Sequence, residues 1–137
     1  MRLERNVRVR WTGSGRIFEA RTGDAAPIRL DGDSLAGPSP MEALLMSLAG
    51  CMAIDVAVVL GKGRVELTDL VVEVAGVRAP DPPRRFTSLE IEVRAEGPTE
   101  ADQAKLDRAV QLSHDRYCSV FHSLRPDLQV KLSAVRA

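Results

Sequence analysis

Two cysteines are the residues of this 137-residue sequence best suited to chemistry. Cys51 lies in the apolar stretch SPMEALLMSLAGCMAID, and Cys118 lies much later, in SHDRYCSVFHSL. A thiol can act as a nucleophile, pair with another thiol, bind a metal, or pack as a small hydrophobe. The residues around each cysteine must decide among these uses.

Cys51 shares one helix face with the polar residues Ser47 and Asp55, because the three are spaced four apart. A carboxylate such as Asp55 raises a neighbouring thiol pKa by like-charge repulsion. A reactive Cys51 therefore requires a cation nearby, such as an arginine from another segment. In the other interpretation, Cys51 is a buried hydrophobe of the core.

Cys118 is predicted near the first turn of a short helix that spans residues 117–124. The N-terminus of a helix lowers a thiol pKa through the macrodipole and the free N–H groups. Its neighbours Tyr117 and Phe121 are equally consistent with a core anchor. Both interpretations of Cys118 stay open on local sequence.

His114, Cys118 and His122 have the four-residue spacing of metal ligands on one helix. We predict a helix break near Asp115, which would separate the three side chains. Because of this break we expect no metal site. The sequence also lacks a glycine-rich phosphate motif, so we expect no other cofactor.

The stretch around Cys51 predicts a long helix with clear ends. Ser39 is a helix cap, Pro40 suits the first helical position, and Glu42 completes a capping box. Gly61 and Gly63 mark its end. A helix that is apolar on nearly all sides must be buried on nearly all sides, which one small domain cannot achieve. We therefore predict a homodimer.

The rest of the sequence predicts strands around this helix and a second helix capped by Thr99 and Asp102. Alternating or apolar runs predict strands at 7–11, 16–21, 27–31, 65–77, 86–95 and 128–135. The segregated strands and hairpins favour an antiparallel α+β fold. We expect a single domain over residues 1–137.

Composition narrows the partners and the location. The charges balance, with 19 Lys+Arg against 19 Asp+Glu, so nothing indicates nucleic-acid binding. Residues 41–60 are long enough to cross a membrane, but Glu42 and Asp55 favour a buried helix instead. The N-terminus lacks the apolar core of a signal peptide, so we expect a cytoplasmic protein without a permanent disulfide.

The two cysteine motifs together resemble the OsmC/Ohr family of osmotically inducible and organic-hydroperoxide-resistance proteins. The resemblance covers essentially the whole chain, including FTSLEIEVRAEG. It is strongest to the YhfA-like branch, which shares PSPME…GC…ID and a KYCSV-type second cysteine. The resemblance implies antiparallel sheets wrapped around long central helices in an intertwined homodimer.

The resemblance also implies roles for the thiols, without metal or flavin. Cys51 would be the peroxidatic thiol that attacks the O–O bond, and Cys118 would resolve the sulfenic acid as a disulfide. An external dithiol would then reduce that disulfide. This assignment makes Cys51, not Cys118, the more reactive thiol.

Family peroxidases support the thiolate with an arginine of the early hairpin and a glutamate directly after the helix-starting proline. Here Met41 follows Pro40, so Glu42 stands one place later and is either a supporting residue or only the capping partner. Arg16 lies near the expected arginine position. The alternative arginines are Arg8, Arg10, Arg21 and Arg85.

The sequence leads to the hypothesis of a cysteine-based peroxidase for organic hydroperoxides, with Cys51, Cys118, Glu42 and Arg16 in its site. Apolar neighbours predicted around Cys51 would favour an alkyl tail. They are Leu44, Leu48, Met52, Ile54 and Phe121. The alternative is a non-catalytic protein that binds an apolar ligand or senses redox state on the same scaffold. A third interpretation gives both thiols a purely structural role.

Overall fold

The computed structural model describes residues 3–137, and these residues form two three-stranded sheets and three α-helices. The first sheet contains β1 (Arg8–Trp11), β2 (Ile17–Arg21) and β3 (Ile28–Asp31). The second contains β4 (Asp69–Arg78), β5 (Phe86–Glu96) and β6 (Gln129–Arg136). The helices are α1 (Pro40–Lys62), α2 (Gln103–Leu112) and α3 (Ser119–His122).

The chain divides into two compact units, one ending at Leu44 and one running from Leu45 to Ala137. The first unit holds the first sheet and the start of α1. The second unit holds the rest of α1, the second sheet, α2 and α3. Both cysteines therefore belong to the second unit.

The predicted α+β class is confirmed, with one difference in strand direction. β4 and β5 pair antiparallel, as do the strands of the first sheet, but β5 and β6 pair parallel. A parallel pair requires a long crossover, and the chain supplies one by running through α2 and α3 before it enters β6. The second sheet is therefore mixed rather than antiparallel throughout.

β4 begins four residues later than the alternating pattern predicts, because the chain first closes the end of α1. Arg64 has a positive φ of 58°, and the Val65 N–H donates to the Leu60 carbonyl at 2.9 Å. The Val65 side chain then packs into the core at 6% exposure. Val65 is therefore apolar because it packs in the core, not because it belongs to β4.

α1 begins with the predicted capping box. The Glu42 N–H donates to Ser39 Oγ at 3.2 Å, and the Ser39 N–H donates to a Glu42 carboxylate oxygen at 3.0 Å. Ser34 also donates its hydroxyl to that oxygen. Proline at the first helical position loses no helical hydrogen bond there, so these three residues set the start of the helix.

α1 buries only one stripe of its apolar surface within the chain. The buried residues recur every four positions, at Leu48, Met52, Val56 and Leu60. On other sides Met46, Ile54 and Val58 are at least half exposed. By length and composition α1 could cross a membrane, but core helices of soluble proteins meet the same criterion. The predicted burial on nearly all sides is thus not met within one chain.

β5 forms the centre of the core. Its residues Leu89, Ile91, Val93 and Ala95 alternate on one face and are 0–3% exposed. Two groups of buried side chains cover this face. We call the first the thiol cluster, which consists of Leu48, Met52, Leu89, Ile91 and Cys118. The second joins the end of α1 to α2, with Val56, Leu60, Val65, Val93, Ala95, Leu106, Ala109 and Val110.

β1 leaves its apolar residues exposed, contrary to the prediction of a half-buried strand. Val9 and Trp11 are 51% and 57% exposed, and Val7, just before the strand, is more exposed still. The strand exists because it pairs with β2, not because it buries a face within its own chain.

Replacing Ile91 by alanine should destabilise the protein strongly. Ile91 is fully buried at the centre of the thiol cluster, so the shortened side chain leaves a cavity that costs about 2–5 kcal/mol. The measurement is denaturant unfolding at equilibrium. Glu90→Ala on the same strand is the control, because Glu90 is exposed and should change the free energy of unfolding by less than about 0.5 kcal/mol. Equal effects of the two changes would contradict this description of the core.

Candidate thiol site

α1 places Cys51 and Asp55 one turn apart on the same side of the helix. Cys51 is half-buried and packs against the thiol cluster. Asp55 is also half-buried. Two residues of the predicted polar face, Cys51 and Asp55, therefore lie at the edge of the core, whereas Ser47 is exposed.

Cys118 reaches the core through an unusual turn. After α2 the chain makes a π-helical turn, Ser113–Tyr117, which closes when the Cys118 N–H donates to the Ser113 carbonyl at 2.9 Å. Cys118 itself has extended backbone, with φ −71° and ψ 97°, and its side chain is fully buried. π-helical turns are rare and often mark functional sites.

Cys118 also starts α3. Its sulfur accepts a hydrogen bond from the Phe121 N–H at 3.4 Å, and its carbonyl accepts one from the His122 N–H at 3.0 Å. The predicted position of Cys118 at the start of a third helix is thus correct, although α3 is shorter than expected. The backbone of α3 fixes the direction of the Cys118 sulfur.

The two thiols and one carboxylate meet in the second unit. Cys51 Sγ, Cys118 Sγ and a carboxylate oxygen of Asp55 all lie within 4.8 Å of one another. The fully buried Ser113 donates its hydroxyl to Asp55 Oδ2 at 2.8 Å and so holds the carboxylate in place. Residues from two distant parts of the sequence thereby form one compact site, which we call the thiol site.

Burial raises the pKa of Cys118 to about 11, from an ordinary value of 9.0. The Phe121 N–H opposes this shift, but the nearby Cys51 and Asp55 reinforce it by hydrogen bonding or repulsion. The expectation that the start of α3 would lower the pKa of Cys118 is wrong, because loss of water outweighs one N–H donor. At neutral pH Cys118 is a neutral thiol.

The two thiols differ in access to solvent. Cys51 is half-buried, whereas Cys118 is 0% exposed. A small molecule from solution therefore meets Cys51 first, and Cys118 can react only with a partner that is already inside the site. Three of the five predicted apolar neighbours, Leu48, Met52 and Phe121, belong to or pack against the thiol cluster. Ile54 does not contribute within the chain, since it is 66% exposed.

Asp55 has no basic partner among residues 3–137: no lysine, arginine or histidine nitrogen lies within 4.0 Å of its carboxylate. Ser113, which donates a hydrogen bond to this carboxylate, is a neutral residue. The site therefore concentrates one carboxylate and two ionisable thiols without an ion pair to Asp55. The cation that a reactive Cys51 requires is therefore not supplied by an ion pair with Asp55.

Glu42 and Arg16 lie in the first unit, where each has partners. Hydrogen bonds from Ser34 and Ser39 hold the pKa of Glu42 below its usual value, so Glu42 is ionised in its capping role. Arg16 forms an ion pair with Asp33 and donates to the Gly32 carbonyl at 2.9 Å. Asp33 also raises the pKa of Arg16. Their support of Cys51 stays a prediction.

Arg16 also borders an apolar pocket of about 350 Å³ in the first unit. The other lining residues are Val9, Phe18, Leu30, Gly32 and Pro40. Of the alternative arginines, Arg21 pairs with Glu19 at 2.7 Å, and Arg85 lies 3.9 Å from Asp127.

His114, Cys118 and His122 do not lie on one continuous α-helix, in line with the predicted helix break. The helix breaks at Cys118 itself rather than at Asp115, so the three residues do not share one helix. His122 Nε2 instead contacts the His114 carbonyl at 2.8 Å, and the His114 ring lies against Phe121 with centroids 4.7 Å apart.

Two residues that organise the structure gave no signal in the sequence. Ser113 donates a hydrogen bond to Asp55, but the two residues are far apart in the chain and no local pattern links them. Asp31 accepts hydrogen bonds from the Asp33, Leu35 and Ala36 N–H groups and so shapes the loop before α1. Backbone bonds of this kind hold the pKa of Asp31 below its usual value.

With the geometry established, comparison with known proteins shows what the chain is similar to. A family model described as OsmC-like protein matches residues 31–133. Protein YhfA of Escherichia coli strain K12 is 40% identical over 115 residues, which cover 83% of this chain and 84% of YhfA.

Two solved structures have the same fold. A hypothetical protein from Aquifex aeolicus VF5 matches with a TM-score of 0.86 and 29% identity, over 98% of this chain and 96% of its own. An organic hydroperoxide resistance protein from Elizabethkingia anophelis matches with a TM-score of 0.71, over 100% and 99% of the two chains. Its identity is 11%, so this second likeness shows the fold alone.

The raised pKa of Cys118 can be measured directly by ¹³C NMR of protein labelled at the cysteine Cβ atoms. We expect Cys118 to remain a thiol at pH 9 and to ionise with a midpoint near 11, because burial disfavours the thiolate. Cys51→Ser assigns the two signals, and the unfolded chain should titrate near the ordinary 9.0. A Cys118 midpoint at or below 9 in the folded protein would contradict the electrostatics described here.

Proposed function

The chain belongs to the OsmC-like protein family, and we propose that it is a cysteine-based peroxidase that reduces organic hydroperoxides. The observation that carries this proposal is the convergence of Cys51 and Cys118 within 4.8 Å, with unequal access to solvent. A two-cysteine peroxidase requires one thiol that a peroxide can reach and a second that waits beside it.

In the first step the Cys51 thiolate attacks the O–O bond of the hydroperoxide. The sulfur gains one oxygen and becomes a sulfenic acid, and the other oxygen takes a proton and leaves as the alcohol. The sulfur is oxidised by two electrons, and the peroxide is reduced by two. Cys51 is half-buried against the thiol cluster, on which Phe121 also packs, and this apolar setting suits a substrate with an apolar tail.

In the second step Cys118 attacks the Cys51 sulfenic acid, forms a disulfide and releases water. Its full burial restricts it to this internal partner. The sulfurs must approach from within 4.8 Å to about 2.05 Å, which requires local movement of the π-helical turn or of α3. An external dithiol then returns both cysteines to the thiol form.

We further propose that Arg16 and Glu42 support the Cys51 thiolate, as in related peroxidases. Arg16 is paired with Asp33, and Glu42 is held in its ionised form by Ser34 and Ser39. Both side chains are thus hydrogen-bonded and charged, as a supporting pair must be.

We also propose that the protein is a cytoplasmic homodimer. The apolar side chains left exposed on α1 and β1 are those that a second copy would cover. They include Met46, Ile54, Val58, Val9 and Trp11. The cytoplasm would provide the dithiol reductant.

The alternative function is a non-catalytic protein that binds an apolar ligand or senses redox state. Two observations favour it: Met41 occupies the position after Pro40 where related peroxidases have glutamate, and the pKa of Cys118 disfavours the resolving thiolate. In this case Cys51 would react with peroxide slowly, and an apolar ligand would raise the melting temperature.

Reduced protein treated with one equivalent of cumene hydroperoxide should lose both thiols and form a Cys51–Cys118 disulfide, seen by mass spectrometry. Cys51→Ser should abolish turnover, because no thiolate then reaches the peroxide. Cys118→Ser is the matched variant: it should keep the first step and stop at a Cys51 sulfenic acid, trapped with dimedone. Unchanged thiols in the wild-type protein would instead support the alternative function.

Replacing Ile54 by aspartate should convert a dimer of twice 14.9 kDa into monomers, because a charge would then lie in an apolar interface. Light scattering after size exclusion measures the mass. Glu90→Ala is a control from an exposed position on β5 and should leave the mass unchanged. A wild-type monomer would overturn the proposed homodimer.

A further inference from the structure

The thiol site combines three groups that bind soft divalent metals. Thiolate sulfur and carboxylate oxygen are both zinc ligands, and the site offers two sulfurs and one carboxylate. These groups come from α1 and from the start of α3, so no spacing motif in the sequence reveals them. We propose that the reduced thiol site binds one Zn²⁺ through Cys51, Cys118 and Asp55.

The distances suit this coordination. Zinc–sulfur bonds of about 2.3 Å in a tetrahedron place two sulfurs roughly 3.8 Å apart, and a sulfur and an oxygen somewhat closer. The three ligand atoms lie within 4.8 Å of one another, so each pair must close by roughly an ångström at most. Small rotations of Cys51 and Asp55 on the half-buried face of α1 supply that adjustment.

The surroundings match those of a metal ligand set. Ser113 donates to Asp55 Oδ2 and orients the carboxylate, as the groups behind metal ligands commonly do. Asp55 has no basic partner within 4.0 Å among residues 3–137, so no ion pair at that distance competes with a metal ion for its carboxylate. Zinc also takes thiols as thiolates, since a coordinated thiol loses its proton.

Three protein ligands leave a fourth zinc position for water or another small ligand. Cys51 is half-buried, so an ion can reach the site from solution, whereas Cys118 anchors it from inside the core. The site is therefore suited to reversible zinc binding, not to a closed structural zinc centre.

Zinc and peroxide would compete for the same sulfurs, a consequence that rests on the proposed peroxidase function. The bound ion shares the electron pairs that Cys51 and Cys118 use for attack, so zinc slows the reaction without abolishing it. Oxidation of the sulfurs releases the ion. One Zn²⁺ held by the two thiolates, one hydroperoxide and two protons give the disulfide, the alcohol, water and free Zn²⁺. Two electrons pass from the sulfurs to the peroxide, and the zinc charge is unchanged.

Cobalt tests the site without any peroxide. Reduced, metal-free protein is titrated with Co²⁺, which gives sulfur-to-cobalt charge-transfer absorption in the near ultraviolet, and Zn²⁺ is then added as competitor. We expect one ion per chain, a band from both thiolates, and loss of the band as zinc displaces cobalt. Absence of the band in the wild-type protein would overturn the proposal without reliance on any variant.

Three variants locate the ion. Cys118→Ser should remove about half of the sulfur-to-cobalt absorption, and Asp55→Asn should weaken zinc binding by at least about tenfold. His122→Asn is the matched control: it removes a nearby metal-binding side chain outside the site and should leave zinc affinity unchanged. Equal affinity in Asp55→Asn, or loss of affinity in His122→Asn, would overturn the assignment. Circular dichroism confirms that each variant is folded.

Peroxide consumption with and without zinc separates this inference from the proposed function. Inhibition by one equivalent of zinc, reversed by a chelator, supports both. A cobalt band without any peroxide reaction retains the metal site and rejects the peroxidase. Peroxide reduction without a cobalt band retains the peroxidase and rejects the metal site.

Discussion

The packing of the α1 stripe on β5 is the interaction on which the second unit depends. Leu48 and Met52 meet Leu89 and Ile91, and farther along the helix the same face meets Val93 and Ala95. This contact removes the apolar stripe of α1 and one face of β5 from water. Because Cys51 and Asp55 lie at the edge of that stripe, the packing that stabilises the fold also fixes where the chemistry can occur.

Besides the packing of α1 on β5, the thiol site depends on the non-α-helical segment between α2 and α3. A continuous α-helix through this region would place His114, Cys118 and His122 on one face and turn the thiol with them. The π-helical turn instead brings buried Ser113 to Asp55 and lets extended Cys118 enter the core. Local departure from regular helix is thus what assembles the thiol site.

Burial and charge then give the two thiols different properties. Cys118 loses contact with water, which raises its pKa, and the nearby Cys51 and Asp55 raise it further. The two sulfurs and the carboxylate that lie together in the site are also the groups that the proposed zinc ion would bind. The proposed peroxide reduction and the proposed zinc binding thereby depend on the same cluster of side chains.

The sequence by itself determined the elements whose signals are local. The capping box of Ser39 and Glu42, the alternation of β5 and the apolar character of α1 follow from neighbouring residues, and the paired cysteine motifs sufficed to predict the α+β family fold. Only the tertiary structure decided the parallel pairing of β6, the partner of Asp55, and the pKa of Cys118. These features depend on contacts between residues that are distant in the chain, and on the exclusion of water by those contacts. No local sequence pattern encodes either.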